Sequence, residues 1–597
     1  MTVTFAQDQP FVLPDLSDLG LNEDGSSIKE RDDNEPKEQD FADPGFQGRR
    51  PLEGFRQSWS TSQSEQPSIR NPEGSSITMI DGGPLKTYLD EFRFEGNTEE
   101  VIADAELGEI VKEFTAREIT TEDLESARLA VNKRYIDKGY INSGALIPDQ
   151  SINNGTVTLN IVEGALTDIR MHGNRWLRDG FLERRIRLGD GKPLSIHDLQ
   201  EPLLLLHRNP NIQRLAAELK PDGKPGESYL QVEVTENMPI RAGIEFSNSR
   251  PPSVGEEQIE TWFSHTSLTG NSDHLEVRYG LLDHGFDDLE HHGFENFAAS
   301  YTLPITAHDT TIYAGYQRNS YSVLEEPFQD LDIDGKSSSL RMGIRHPWRG
   351  FPQNGEFEHE FALGLYADRQ ESETSLLGIP FTVNAGAVNG ETETTVIRLT
   401  QEWTSRSSKQ VLALRSTESF GIDAFGTTDD GTERDGTFFS WLGQAQYVRK
   451  LGDTDAQMIL RGTMQWSNDP LPSLEQFSVG GMNTVRGYRE NQLVRDIGYL
   501  GTLEFRVPVI PSNNRGSLLT IAPFVDVGGG WNHQLKGGFN QSHDHETVVS
   551  AGIGLLIQPT DYIHAELYWG HAFTDFENQD DSLQNNGIHF RISVAKF

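Results

Sequence analysis

The 597-residue chain carries 51 Lys and Arg against 91 Asp and Glu, a formal net charge of −40, with 35% apolar residues and no cysteine. So acidic a surface repels the phosphates of nucleic acid, and the missing thiols exclude a disulfide framework and any thiolate metal centre. No stretch reaches the ~18 consecutive apolar residues of a spanning helix; the richest, 201–219, is interrupted by His207, Arg208, Asn209 and Pro210.

A membrane β-barrel escapes that exclusion, because its strands alternate lipid-facing apolar with lumen-facing polar side chains and average to mild hydropathy. Residues 1–7 show neither the basic stretch nor the apolar run of a secretory signal peptide. Val3-Thr4-Phe5-Ala6 reads as the tail of one, which an exported barrel would require. The segment 1–76 is polar, with Asp32, Asp33, Asn34, Glu35 and Pro36 clustered, and is expected to be a disordered tail or linker. Leu13, Leu16 and Leu19 lie at helical spacing within it, which suits a short plug helix.

From residue 77 the pattern predicts a β-α-α-β-β unit to 164. A strand at 89–95 is closed by Gly96-Asn97, and a helix follows with Val101, Ala105, Ile110, Val111 and Phe114 on one face. A second helix is capped by Thr121 and stops at Gly139, before strands at 145–148 and 156–162. The order repeats over 165–238, with strands at 168–172, 214–219 and 228–235 and helices at 179–187 and 195–207. Phe94-Glu95-Gly96-Asn97 and Met171-His172-Gly173-Asn174 are the clearest internal echo.

After Pro239 helical periodicity disappears. Strands are expected at 241–249, 258–268, 273–283, 294–305, 310–319, 338–348, 356–370, 394–406, 410–422, 438–451, 456–467, 497–509, 517–531, 545–560, 561–573 and 587–597. Long connections (320–337, 371–393, 423–437 and 468–496) alternate with tight ones, as in an outer-membrane barrel. In 456–467, Met458, Leu460, Met464 and Trp466 oppose Arg461, Thr463 and Gln465. In 497–509, Leu503, Phe505 and Val507 oppose Thr502, Glu504 and Arg506. Trp262, Tyr279, Trp348, Trp403, Trp441, Trp466, Trp531 and Trp569 are candidates for the aromatic girdles at the two membrane interfaces. The fold class is therefore α+β domains followed by an all-β transmembrane barrel of about 16 antiparallel strands at 239–597.

Gly480-Gly481 with Val485-Arg486-Gly487-Tyr488 in the connection 468–496, and Phe524-Val525-Asp526-Val527-Gly528 in the thirteenth strand, give the chain a family resemblance. It resembles the two-partner secretion transporters, the TpsB family of ShlB, FhaC and HecB type, within the superfamily that also holds barrel-assembly insertases. The resemblance implies two periplasmic POTRA domains, here 77–164 and 165–238, and a sixth surface loop that folds back into the lumen. It also implies that Arg486 pairs with Asp526, with Val485, Gly487, Tyr488, Phe524 and Gly528 shaping the contact.

Phe597 is similar to the terminal aromatic residue that barrel assembly machinery reads, although Ile588, Phe590, Ile592 and Val594 leave it out of phase unless a bulge intervenes. The implied function is an outer-membrane pore, embedded among lipids and lipopolysaccharide, that recognises an unfolded secreted TpsA-type exoprotein and passes it outward without nucleotide hydrolysis. The alternatives are an insertase of the same superfamily and a passive porin.

No enzyme signature competes. There is neither a G-x-S-x-G elbow nor an H-E-x-x-H helix, and Gly335-Lys336-Ser337 lacks the first glycine of a phosphate loop. Asp330, Asp332 and Asp334 begin like a calcium loop, but Arg341 stands where its last carboxylate belongs, and a solvated acidic loop is the expectation. His284, Asp287, His291 and His292 read as exposed loop residues. No catalytic residue, metal or cofactor is expected.

Overall fold

A computed structural model describes residues 69–70, 86–152, 155–281, 295–325, 332–350, 357–382, 387–429, 434–452, 454–512, 516–534, 545–576 and 582–596. These fall into two compact units, one ending at Asn237 and the other running on from Met238.

The first unit opens with β1 (Thr87–Leu89), β2 (Glu91–Glu95), α1 (Asp104–Val111), β3 (Arg117–Ile119), α2 (Thr121–Asp137), β4 (Gly144–Leu146) and β5 (Thr156–Val162). β5 is central, parallel to β2 and antiparallel to β4. Leu107, Val111, Ala127, Val131 and Tyr135 of the helices pack on Leu159 and Ile161. The same connectivity returns in β6 (Ala165–His172), α3 (Asp179–Ile186), α4 (Ile196–His207), β7 (Ile212–Pro221) and β8 (Glu227–Glu236). There β8 is central, parallel to β6 and antiparallel to β7.

The internal echo has a physical cause. Gly96 (φ +84°) and Gly173 (φ +89°) both turn against their central strand, where a Cβ would sit 2.4 Å from the carbonyl oxygen of Ile161 or of Val234. Only glycine fits both the angle and the gap. The asparagine after each ties the turn to the coming helix: Asn97 Nδ2 donates to Ile102 O and Asp104 Oδ1, both at 2.8 Å, and Asn174 Nδ2 to Leu177 O at 2.8 Å and Asp179 Oδ1 at 2.6 Å.

Local details differ from the sequence reading. The strand expected at 89–95 breaks at Asp90, because β1 leaves the main sheet to pair antiparallel with β3, a three-residue strand too short to show alternation. Ile69–Arg70, inside the segment read as a tail, pairs parallel with Gln150–Ser151. The cap of α2 is Thr120, one residue before the Thr121 read from sequence: its hydroxyl accepts from Asp123 N at 3.2 Å, and Asp123 Oδ2 accepts from Thr120 N at 2.7 Å. Thr120→Ala is expected to cost about 1 kcal/mol of this unit's stability, read as a lower thermal midpoint.

The Asp123 carboxyl is held down to about 2 from an ordinary 3.8, first by the Thr120 backbone N–H, then by Arg117 and the Thr120 hydroxyl. A folded-state value below the unfolded one stabilises fully above the latter and loses that contribution as pH falls through the former. Between pH ~4 and ~2, wild-type 86–237 should therefore lose more of its thermal midpoint than Asp123→Asn does.

The second unit is a closed antiparallel barrel, with sixteen wall strands among the described residues. These are β9 (Ile240–Ser247), β10 (Gln258–His265), β11 (His274–Leu281), β12 (Glu295–Pro304), β13 (Thr311–Ser322), β14 (Ile333–Gly350), β15 (Glu358–Leu376), β16 (Glu391–Arg406), β17 (Gln410–Gly421), β18 (Phe439–Lys450) and β19 (Gln457–Ser467). The connection that follows carries β20 (Phe477–Val479) and β21 (Leu493–Arg495), before β22 (Ile497–Ser512), β23 (Gly516–Trp531), β24 (Glu546–Thr560), β25 (Ile563–Ala572) and β26 (Ile588–Lys596). β26 returns to pair with β9 and closes the cylinder, which leaves no free sheet edge.

Side-chain parity fixes inside and outside. Leu340, Met342 and Ile344 of β14 and Leu460, Met464 and Trp466 of β19 all project outward and are 40–53% exposed, whereas inward Gln465 and Glu504 are buried. So broad an apolar exterior needs lipid rather than water. Aromatic groups mark its two rims: Trp348 stacks on Phe361 (5.8 Å) and His359 on Trp403 (6.0 Å) at one end, and Phe439 meets Phe420 and Trp466 at the other. Trp262 departs from the girdle reading. It pairs with Gly243, opposite in phase to outward Ile244 and Phe263, and so faces the lumen.

β14 and β15 extend well past the residues read as strand. Beyond the apolar band their outward positions turn polar (Lys336, Asp334, Glu371, Glu373), which erases the alternation, yet the ladder between them continues unbroken. Pairing of β26 with β9 and β25 shows no register shift as far as Lys596, so the bulge considered for the C-terminus is absent there; Phe597 lies outside the described residues. So do Asp330, His284, Asp287, His291 and His292.

Candidate functional site

The connection 468–496 folds into the barrel instead of away from it. Its stem is the antiparallel pair β20–β21, and its tip turns on residues with positive φ: Gly480 (+111°) and Gly481 (+106°) on one leg, Asn491 (+58°) on the other. Apolar side chains seat it: Phe477, Val479, Val485, Tyr488 and Leu493 form one buried cluster with Leu442 and Val548 of the wall.

Arg486 is the centre of the site and is 3% exposed. Its Nε donates to Asp526 Oδ2 at 2.8 Å and its Nη2 to Asp526 Oδ1 at 2.9 Å, a fork closed by the Arg486 backbone N–H on the same carboxylate at 3.1 Å. Nη1 donates to Glu504 Oε2 on the neighbouring strand. The guanidinium also lies 3.6 Å from the ring centre of Phe524 and 4.8 Å from that of Tyr568. Two carboxylates thus compensate the buried cation, and two ring faces add their quadrupoles.

Neighbouring residues fix where the tip stops. Gly487 (φ +94°) lies against Gly570 of β25, and a Cβ on Gly570 would sit 2.8 Å from the Gly487 nitrogen. The Gly487 N–H donates to His589 Nε2 at 3.2 Å. Tyr488 Oη donates to Val549 O at 2.8 Å and accepts from Thr574 N at 3.1 Å. Gly528 leaves room for Val479 and Val485, each of which would lie 2.7 Å from a Cβ there. Val485, Arg486, Gly487, Tyr488, Phe524, Asp526 and Gly528 are therefore gathered in one place.

Sequence reasoning missed Glu504, Tyr568, Gly570 and His589. Glu504 had a signal, since its parity places it on the polar face of β22. The others come from strands far along the chain, and nothing local distinguishes them. The site holds no nucleophile–base pair, and no group of metal-binding side chains occurs among the described residues. What the arrangement can do is hold a polar plug inside a wet cylinder, or let it go.

Comparison with known proteins bears on both units. Residues 226–557 match the haemolysin secretion/activation protein family ShlB/FhaC/HecB, and residues 88–164 match the ShlB-type POTRA domain. The outer membrane transporter CdiB of Dickeya dadantii is 23% identical over 469 residues, covering 76% of this chain and 77% of the relative. The heme/hemopexin transporter protein HuxB of Haemophilus influenzae is 22% identical over 293 residues, 47% of this chain and 50% of its own. The solved structure of CdiB from Escherichia coli shares the fold, with a TM-score of 0.60 at 21% identity over 88% of this chain and 94% of that one. With a family match over more than half its length and the POTRA-and-barrel architecture that goes with it, the chain belongs to the ShlB/FhaC/HecB family of outer-membrane secretion transporters.

Proposed function

We propose that this protein captures an unfolded secreted partner through its two N-terminal β-α-α-β-β units, both POTRA domains on the periplasmic side, and passes it through the barrel lumen to the cell surface. The observation that carries this reading is the Arg486 tip, anchored within a closed barrel by a buried two-carboxylate contact. A passive pore has no need of such a device.

Capture would use an exposed sheet edge or a helix-lined groove, where backbone hydrogen bonds bind an extended chain with little demand on its sequence. Folding of the partner outside supplies direction, and no nucleotide is hydrolysed. The plug helix expected around Leu13, Leu16 and Leu19 lies outside the described residues; Phe597 supplies the assembly signal, and lipopolysaccharide surrounds the outer rim.

Residues 77–238 alone should bind the N-terminal domain of the cognate secreted protein, with heat released on titration. A calorimetric trace with no interaction would favour the passive pore.

A further inference from the structure

The loop is held at its base as well as at its tip. Glu475, at the end of the turn Ser473–Glu475, is fully buried, and its Oε1 accepts from Arg398 Nη2 at 2.6 Å and Gln370 Nε2 at 2.8 Å. Arg398 also donates to Asp368 at 2.5 Å and to Ser419 Oγ at 2.6 Å, and Asp368 takes the fork of Arg341 at 2.8 and 2.7 Å. One leg of the loop is thereby tied into a network reaching across β14, β15, β16 and β17.

The other leg ends in Asp496, also fully buried. Its carboxylate accepts from Arg434 Nη1 (3.1 Å) and Nη2 (3.3 Å), Leu471 N (3.1 Å), Gln476 Nε2 (2.8 Å) and His533 N (2.9 Å). Those donors come from the β17–β18 connection, from the loop itself and from the β23–β24 connection, so one side chain joins three outer segments. Gln465 of β19 bridges the two legs, its Nε2 donating to Glu475 O at 3.0 Å and Asp496 O at 3.2 Å.

The carboxylates that anchor the stem, Glu475 and Asp496, are not those of Arg486, which pairs with Asp526 and Glu504. Tip and stem meet in the apolar cluster of Phe477, Val479, Val485, Tyr488 and Leu493, so only their charged anchors are separate. Between base and tip lie Gly480, Gly481 and Asn491, the positive-φ residues able to absorb a change of direction on each leg.

We propose that Glu475 and Asp496 are positioning residues that fix the stem to the wall, so that movement of the loop is confined to residues 480–491, where Arg486 and the Arg489–Glu325 pair hold the tip. The inference rests on the reading of the tip as the gate. It makes the mobile element a short flap, with the stem a permanent part of the wall.

The chain has no cysteine, so spin labels can be placed singly in the full-length protein. Labels at Asn483 (tip) and Val494 (stem) are each measured against outward-facing Leu460 in detergent or lipid. In Arg486→Ala the tip distances should broaden while the stem distances stay as narrow as in wild type. With Arg486 intact, Asp496→Asn combined with Glu475→Gln should broaden the stem distances and lower export at least about tenfold, as loss of buried charge partners does. Heat-modifiable gel mobility identifies variants whose barrel has folded, and each single substitution serves where the double variant does not fold.

A stem that spreads together with the tip in Arg486→Ala overturns the inference. So does a stem that stays narrow without its two carboxylates. Tip distances that fail to move in Arg486→Ala count instead against the gate reading, while the carboxylate variants still decide the role of the stem.

Discussion

Replacing Arg486 with alanine should cut export of the secreted partner at least about tenfold while the barrel still folds and inserts, because removing one side of a buried ion pair typically costs 3–5 kcal/mol locally. The variant leaves Asp526 buried with a single backbone N–H from the tip, whereas Glu504 keeps Arg506 at 2.8 Å. The tip therefore loses its fork onto the wall and keeps the contacts of Gly487, Tyr488 and Arg489. Arg486→Lys should recover only part of the activity, since an ammonium cannot fork onto Asp526 and lie flat against the Phe524 ring at once. Export is read as secreted partner per folded barrel; a normal rate in Arg486→Ala would show that the anchored tip has no part in transport.

Gly570→Val is expected to be nearly as damaging without touching any charge. A Cβ at this position lies 2.8 Å from the Gly487 nitrogen and 2.9 Å from the Arg486 carbonyl, so the tip must rise before Arg486 can reach its carboxylates. Backbone cannot yield as a flexible side chain does, and overpacking of this kind costs about 1–3 kcal/mol. On the other side of the same strand pair, a substitution at outward-facing Ile553 should leave export unchanged, which separates tip placement from general harm to the wall. If Gly570→Val exports like wild type while folded, the close seating of the tip is dispensable.

Much of the architecture was legible because a barrel wall writes its own period. Alternation placed the strands around 456–467 and 497–509 within a few residues of β19 and β22, apart from the longer C-terminal run of β22. It failed where its cause was missing: past the apolar band the outward positions of β14 and β15 are polar, and their ladder continues with no hydrophobic pattern to announce it. The three-residue β3 failed for a related reason, since a period of two cannot be seen in three residues. The one-residue error at the α2 cap reflects two adjacent threonines that sequence alone cannot rank; only the reciprocal bond with Asp123 selects Thr120.

The residues of the site divide in the same way. Arg486, Asp526 and their glycines stand in short motifs, and such motifs survive reading in one dimension. Glu504, Gly570, His589 and the base contacts at Glu475 and Asp496 do not, because each gains its role from a partner on another strand.

By itself the sequence determined that strands of this length and alternation form, that absent thiols exclude disulfides and thiolate metal centres, and where the arginine-tipped loop lies along the chain. Only the tertiary structure decided which side chains surround that arginine and what holds the loop's base. Strand pairing is local and periodic, but bringing β16, β22, β23, β25 and β26 around a single loop depends on closing the sheet into a cylinder, and that is a property of all sixteen strands together.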